Sequence, residues 1–264
     1  MKKTIKQLLP PLVIKIIRKI IFPKTKKYQK YEDIVNFSKE EYNNDELSKV
    51  VSVKTKIYID KLYKQEIQFG YEEQKLLNLF CLNDNRSLNI LDIGGGSGIH
   101  YHTVKSQYNL DLNWTVLETP EMVKSNKNNN YQGLNFSDDI ESLKDVKFDL
   151  IYLSSVIQYV PKPYDFLEKI FSLKSNKIII TRTPLKNQGK EYYTLQKSML
   201  SSNGPGELPK NFKDKYVTYP RYSFTINKFK SFLEKYNTKV ITIDDGTHII
   251  GRDEMFSKTF IIIK

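Results

Sequence analysis

Residues 88–101 read LNILDIGGGSGIHY, and this stretch decides the fold. Leu88, Ile90, Leu91 and Ile93 form a short apolar run of the kind that makes a fully buried strand. Asp92 sits near its end, and then come Gly94, Gly95, Gly96 and Gly98. Glycines at a strand-to-helix turn permit positive φ and let a ligand approach the backbone closely. Three ligand classes use such a turn, and spacing separates them. The dinucleotide pattern G-x-G-x-x-G fails in both registers, since it needs glycine at Ile99 or at Tyr101. A phosphate-binding loop needs G-K-S/T, which is absent. The pattern that fits is D-x-G-x-G-x-G, as Asp92, Gly94, Gly96 and Gly98.

Outward from this turn, strand-like runs recur at 113–118, 148–154 and 177–182, with a weaker one at 132–136. Each is followed by a turn or a helical stretch, the alternation of a parallel sheet with helices on both faces. Two closing strands at 239–244 and 256–263 lie eleven residues apart, too close for a helical crossover, so that pair is predicted antiparallel. The expected fold is α/β: a Rossmann-like seven-stranded sheet, mostly parallel, with an antiparallel C-terminal strand. Residues 31–87 read as a helical lead-in, with Tyr58, Leu62, Tyr63, Leu76, Leu77, Leu79 and Phe80 expected to be buried. Residues 88–264 read as the core, and 186–238 as a substrate-side insert rich in Tyr, Lys, Pro and Gly with one helix at 226–236.

Composition narrows the function. The chain has 264 residues, 42 basic and 30 acidic, a formal net charge of +12. Ten of the basic residues and no acid fall in residues 1–30, so the rest of the chain is nearly neutral. A phosphate-tracking stripe over the whole domain is thereby excluded, and no nucleic-acid partner is expected. In the segment 1–30, prolines at 10, 11 and 23 bracket an amphipathic helix. It is too short and too charged to span a bilayer. Residues 1–27 are expected either to lie on an anionic membrane surface or to pack on the body. Cys81 is the single cysteine, and the histidines are His100, His102 and His248, so no disulfide and no metal site are expected. The expected location is cytoplasmic, with peripheral attachment to the inner face of the plasma membrane as an option.

With the glycine turn and its sequels, the chain resembles the class I S-adenosylmethionine-dependent methyltransferases over most of residues 71–264. The resemblance implies an S-adenosyl-L-methionine cofactor. It places Asp92, Gly94, Gly95, Gly96, Gly98 and Tyr101 around the methionine end, and Glu118 on the ribose hydroxyls. It also places Asp138 and Asp139 near the adenine amine, and Ser154 and Ser155 beside the methyl group. Physically, a carboxylate such as Glu118 supplies two acceptors to a cis-diol. Five segments (LLPPLVIKIIRK, GGGSGIHY, SSVIQYVPKP, TRTPL and YPRYSF) are also similar to methyltransferases of bacterial surface-polysaccharide gene clusters. That narrower likeness implies O-methylation of a sugar or a cell-surface glycan precursor, a role in polysaccharide biosynthesis.

Candidate acceptor-side residues follow from position. His248 falls in the segment 245–255, read as a loop at the carboxyl edge of the parallel strands, and is a candidate general base. Arg182 ends the strand 177–182 and is a candidate to orient an anionic substrate group. Tyr159 and Asp139 share the same edge. Tyr192, Tyr193, Tyr216, Tyr219, Arg221 and Tyr222 of the insert suit stacking on sugar rings and holding an anionic group. The motif of amino-directed DNA methyltransferases is absent from the fourth strand, and no cysteine lies near the strand ends for a covalent mechanism. RNA or protein methylation remains open, as does a non-catalytic cofactor-fold partner at a membrane.

Overall fold

The computed structural model describes residues 25–35, 37, 44–80, 87–129, 131–250 and 253–264. Residues 1–24 and Cys81 lie outside it, so the expected basic helix is outside the described residues apart from 25–27. The described chain opens with helices α1 (Glu32–Val35), α2 (Asp45–Tyr63) and α3 (Tyr71–Asn78). The alternating core follows: β1 (Leu88–Ile93), α4 (Ile99–Gln107), β2 (Leu112–Leu117), α5 (Pro120–Asn126), β3 (Leu134–Ser137), β4 (Leu150–Ser154), α6 (Pro163–Ser172) and β5 (Lys177–Lys186). A hairpin of β6 (Tyr192–Met199) and β7 (Tyr216–Thr225) comes next, then α7 (Ile226–Glu234), β8 (Lys239–Ile250) and β9 (Asp253–Ile263).

The strand order is β3-β2-β1-β4-β5, all parallel, with β9 antiparallel on the free edge of β5 and β8 antiparallel to β9. This is the expected mixed Rossmann-like sheet, with nine strands among the described residues rather than seven. The two additional strands are β6 and β7, which form in the insert 186–238, where the sequence reading placed one helix and no strand. Their alternating residues pair antiparallel from Tyr192–Ser223 to Met199–Tyr216.

Period-two alternation assigns each strand residue to one of two cores. Leu91, Ile93, Ile151, Leu153, Ile178 and Ile180 face α6 and α7, and pack on Leu167, Ile170, Phe229 and Phe232. Leu88, Ile90, Trp114, Val116, Leu150, Tyr152 and Ile179 face α3 and α4, and pack on Leu76, Phe80, Tyr101 and Val104. A third cluster joins the lead-in to the insert: Leu47, Val50 and Val51 of α2 meet Met122, Leu200, Val217 and Tyr219. Tyr63, expected inside, is 49% exposed at the end of α2, whereas Leu62 is buried.

One register feature positions the site. Strand β5 outlasts β4: Ser154 pairs with Thr181, while Leu185 and Lys186 pair onward with Phe224 and Thr225 of β7. Leu185 also pairs with Phe256 of β9, so β7 lies on the edge of β5 that β4 occupies lower down. The β6–β7 hairpin therefore stands over the carboxyl end of β4. Helix α2, joined to it through the third cluster, closes the other side.

Candidate active site

A cavity of about 610 Å³ opens between these elements at the carboxyl ends of the parallel strands, where ligands bind in open α/β sheets and at a size typical of small-molecule sites. The glycine turn forms its floor. Gly94, Gly96 and Gly98 adopt φ of 70°, 59° and 83°, which other residues rarely adopt. Gly95 is required for a different reason: a Cβ there would lie 2.2 Å from Asp92 Oδ2.

Glu118, at the end of β2, reaches back to this turn. Its Oε1 accepts the Gly96 N–H at 3.0 Å and its Oε2 accepts the Thr119 N–H at 2.9 Å. Burial pushes its carboxyl above the usual range, and the two amides oppose that shift. Each oxygen keeps further lone-pair capacity on the cavity side, which fits a diol. The bare backbone of the turn and this carboxylate, on one wall of a cavity large enough for a nucleoside, fit S-adenosylmethionine.

Asp92 is placed differently from expectation. It is fully buried and does not line the cavity. Its carboxylate accepts the Nδ1–H of His100 at 3.0 Å and the Nε1–H of Trp114 at 3.3 Å. Alternation explains this, because Asp92 follows Ile90 onto the α3/α4 face, beside Trp114. His100, whose ring also meets the edge of Tyr152 at 5.2 Å, is the member of the pair that lines the cavity. Tyr101 is likewise turned away: it is buried in the core and its hydroxyl donates to the Gln132 carbonyl at 2.7 Å. Gly98 starts α4, and a Cβ there would press on Leu134. It shapes the turn without lining the cavity. Asp138 and Asp139 are exposed beyond β3, and neither lines the cavity. Asp139 instead accepts the Glu141 N–H at 2.8 Å, two residues on, at the entry to a short 3-10 turn.

Ser154 and Ser155 line the cavity. Ser155 and Arg182 both hold left-handed backbones, with φ of 58° and 56°. Strained non-glycine residues of this kind concentrate at functional sites. Arg182 sits where the β5–β9 register shifts between Ile180 and Thr183. The shift leaves Thr181 and Thr183 buried and Arg182 exposed at the cavity.

The wall supplied by the hairpin is a hydrogen-bonded ladder. Tyr159 donates to Gln196 Oε1 at 3.4 Å, Gln196 Nε2 donates to the Tyr219 hydroxyl at 3.4 Å, and Ser198 bonds that hydroxyl at 2.9 Å. Burial raises the Tyr159 phenol further above its ordinary value, which suits a hydrogen-bonding group and not a base at neutral pH. Of the insert's aromatic set only Tyr219 lines the cavity. Tyr222 donates to Glu191 at 2.8 Å, Tyr193 donates to the Pro161 carbonyl, Tyr192 lies under the Lys186 ammonium, and Tyr216 is exposed. Gln196 and Ser198, missed in sequence, carried no signal beyond alternation in a strand that was itself missed.

His248 lies within β8, not in a loop: the strand runs to Ile250, and His248 pairs with Met255. Its side chain is outside the described residues. His102 is fully buried beside Tyr63, Tyr101 and Tyr131, and burial lowers its imidazole to about 4.

The roof is pinned by a lysine. Lys54, 1% exposed on α2, donates to the carbonyls of Ser201 at 2.6 Å, Asn203 at 2.7 Å and Gly204 at 3.2 Å. Ser202 to Gly206 thereby close over Val51 and the glycine turn.

A parallel sheet with an antiparallel final strand and a glycine cradle at its carboxyl edge defines a nucleoside-binding transferase fold. The family model described as "Methyltransferase domain" matches residues 64–243, well over half of the chain. The chain belongs to that family, as an S-adenosylmethionine-dependent methyltransferase. Among solved structures, an S-adenosylmethionine-dependent methyltransferase from Clostridium acetobutylicum is 17% identical, with 80% of this chain and 98% of that chain covered and a TM-score of 0.49. A phosphoethanolamine N-methyltransferase of Haemonchus contortus is 13% identical over 74% of this chain and 53% of that chain, with a TM-score of 0.50. An amino pentose methyltransferase from Micromonospora echinaspora is 12% identical over 78% and 96%, with a TM-score of 0.49. No curated protein matches the chain.

Proposed function

We propose that the enzyme methylates a hydroxyl of a small saccharide-like acceptor, such as an anionic sugar or a glycan precursor. The observation that carries this reading is the hairpin wall: Tyr159, Gln196, Ser198 and Tyr219 offer a chain of hydroxyl and amide groups, and Arg182 stands exposed beside it. Such a surface hydrogen-bonds a polyhydroxylated ring, and one arginine forks onto a carboxylate or phosphate.

When bound, the cofactor supplies an electrophilic methyl group on a sulfonium. Glu118 and the glycine turn hold the nucleoside, Ser154 and Ser155 border the space between cofactor and acceptor, and the hairpin wall fixes the acceptor. Alignment in a cavity closed by α2 and the 202–206 loop supplies most of the acceleration. His248 is retained as a candidate proton acceptor only if the β8–β9 hairpin brings it to the acceptor. Asp139 does not line the cavity, and Tyr159 is a poor base.

The test is a transfer screen with S-adenosylmethionine, the full-length chain, and panels of nucleotide sugars, lipid-linked saccharides, RNA and protein, read as S-adenosylhomocysteine formed. Turnover on an anionic saccharide, with KM raised at least tenfold in Arg182→Ala and cofactor affinity kept, supports the reading. Turnover on RNA with steep salt dependence, or cofactor binding without turnover on any panel member, overturns it. We further propose that residues 1–27 attach the enzyme to anionic membranes. Among the described residues no helix is long and apolar enough to cross one. Cosedimentation with phosphatidylglycerol vesicles that survives deletion of residues 1–27 refutes the attachment.

A further inference from the structure

We propose that His100 binds the carboxylate of the cofactor's amino-acid end, and that Asp92 acts only through His100, as the buried residue that fixes its ring. The inference rests on the cofactor reading of the cavity, and it moves the polar contact at this end from Asp92 to the histidine beside it.

Three observations carry it. First, Asp92 cannot meet a ligand from where it stands: it is fully buried, absent from the cavity lining, and screened by Gly95, whose Cα approaches so closely that a Cβ would lie 2.2 Å from Oδ2. Second, its carboxylate takes the Nδ1–H of His100 at 3.0 Å and the indole N–H of Trp114 at 3.3 Å, so the place of one ring proton and the tilt of the imidazole are set from behind. Nε2 is then the ring nitrogen left for the cavity, and it makes no hydrogen bond to a described residue. Third, among the described residues only two that line the cavity can carry positive charge, His100 and Arg182. His100 stands on α4, directly after the glycine turn that Glu118 anchors. Arg182 stands on β5, beside the hairpin wall.

Two anionic groups need partners in this cavity on the proposed reaction: the cofactor's carboxylate and the acceptor's acid. Position divides them, with His100 serving the first and Arg182 the second. A doubly protonated imidazole donates Nε2–H to a carboxylate, a charge-assisted bond. The groups around His100 are Asp92 on β1 and Tyr152 on β4 in direct contact, with Glu72 on α3 and Arg182 on β5 near enough to act on Tyr152.

The experiment is calorimetric titration of the full chain with two ligands, S-adenosylhomocysteine and 5′-methylthioadenosine. The second keeps the nucleoside and sulfur but has no amino acid. His100→Ala is expected to weaken S-adenosylhomocysteine about 10–100-fold while changing methylthioadenosine less than twofold. His100→Gln, which keeps a neutral donor, should fall between, and Asp92→Asn should show the same ligand selectivity at smaller size. An equal loss for both ligands makes His100 a structural support of the turn and overturns the proposal. So does an unchanged S-adenosylhomocysteine affinity in His100→Ala, or the selective loss appearing in Arg182→Ala instead. If the unaltered protein binds neither ligand, it is the cofactor reading itself that fails.

Discussion

Glu118 accepts the backbone N–H of Gly96 at 3.0 Å, tying the end of β2 to the middle of the glycine turn across 22 residues of chain. The carboxylate proposed to take the ribose hydroxyls therefore also holds the turn's shape. Binding and architecture are coupled at one side chain. Glu118→Ala should weaken S-adenosylhomocysteine by about 1–3 kcal/mol in calorimetry, because it removes acceptors from the diol and leaves the Gly96 amide unpaired. Glu118→Gln, which keeps one acceptor oxygen, should lose less.

Gly95 is the most constrained position of the turn by packing. Gly95→Ala places a methyl 2.2 Å from the Asp92 carboxylate, which is wedged between His100 and Trp114. Thermal denaturation should show a loss of about 1–3 kcal/mol, the usual cost of overpacking. Gly96→Ala meets only Val51, at 3.6 Å, so its cost should come from the φ of 59° alone and be smaller. Equal losses at the two sites would show that the Asp92 contact does not matter.

Lys54→Met removes an ammonium that satisfies three carbonyls of the roof. The expected loss is about 1–3 kcal/mol in urea denaturation, with faster proteolysis between residues 200 and 215. Glu46, whose salt bridge to Lys215 is exposed, provides the contrast: Glu46→Gln should change stability by less than about 0.5 kcal/mol.

His102 should make stability depend on pH. Burial among three tyrosines lowers its folded-state value to about 4, against an unfolded value near 6.5. The folded state thus favours the neutral ring. Its contribution is fully present above pH 6.5 and is lost as pH falls from there toward 4, by about 3 kcal/mol at most. Melting temperatures between pH 7.5 and 4.5 should fall less steeply in His102→Phe than in the unaltered chain. The variant starts from a lower plateau, since it also loses the Tyr63 hydroxyl bond. Parallel slopes would remove His102 as the source.

The sheet was legible in the sequence because buried parallel strands need continuous apolar runs, and LNILDI, FDLIYLS and KIIITR supply them. The glycine turn was legible because backbone conformation at positive φ leaves its mark on residue identity, and Glu118 because its spacing from the turn is fixed by one helix and one strand. What lies between distant segments was not. The strands β6 and β7 carry tyrosine, lysine and threonine in place of aliphatic runs, since one face of their hairpin walls a polar cavity. Nothing local distinguishes Lys54, buried under a loop almost 150 residues away, from a solvated lysine on a helix. Likewise, Asp92 reads as a ligand residue by its motif. Only tertiary packing decides that Gly95 and His100 cover it, that Tyr101 and His102 turn inward, and that β8 extends to Ile250, into the segment expected as a loop. Chain-local chemistry sets which backbones and cores can form; which polar side chains reach the cavity depends on the neighbours each one meets there.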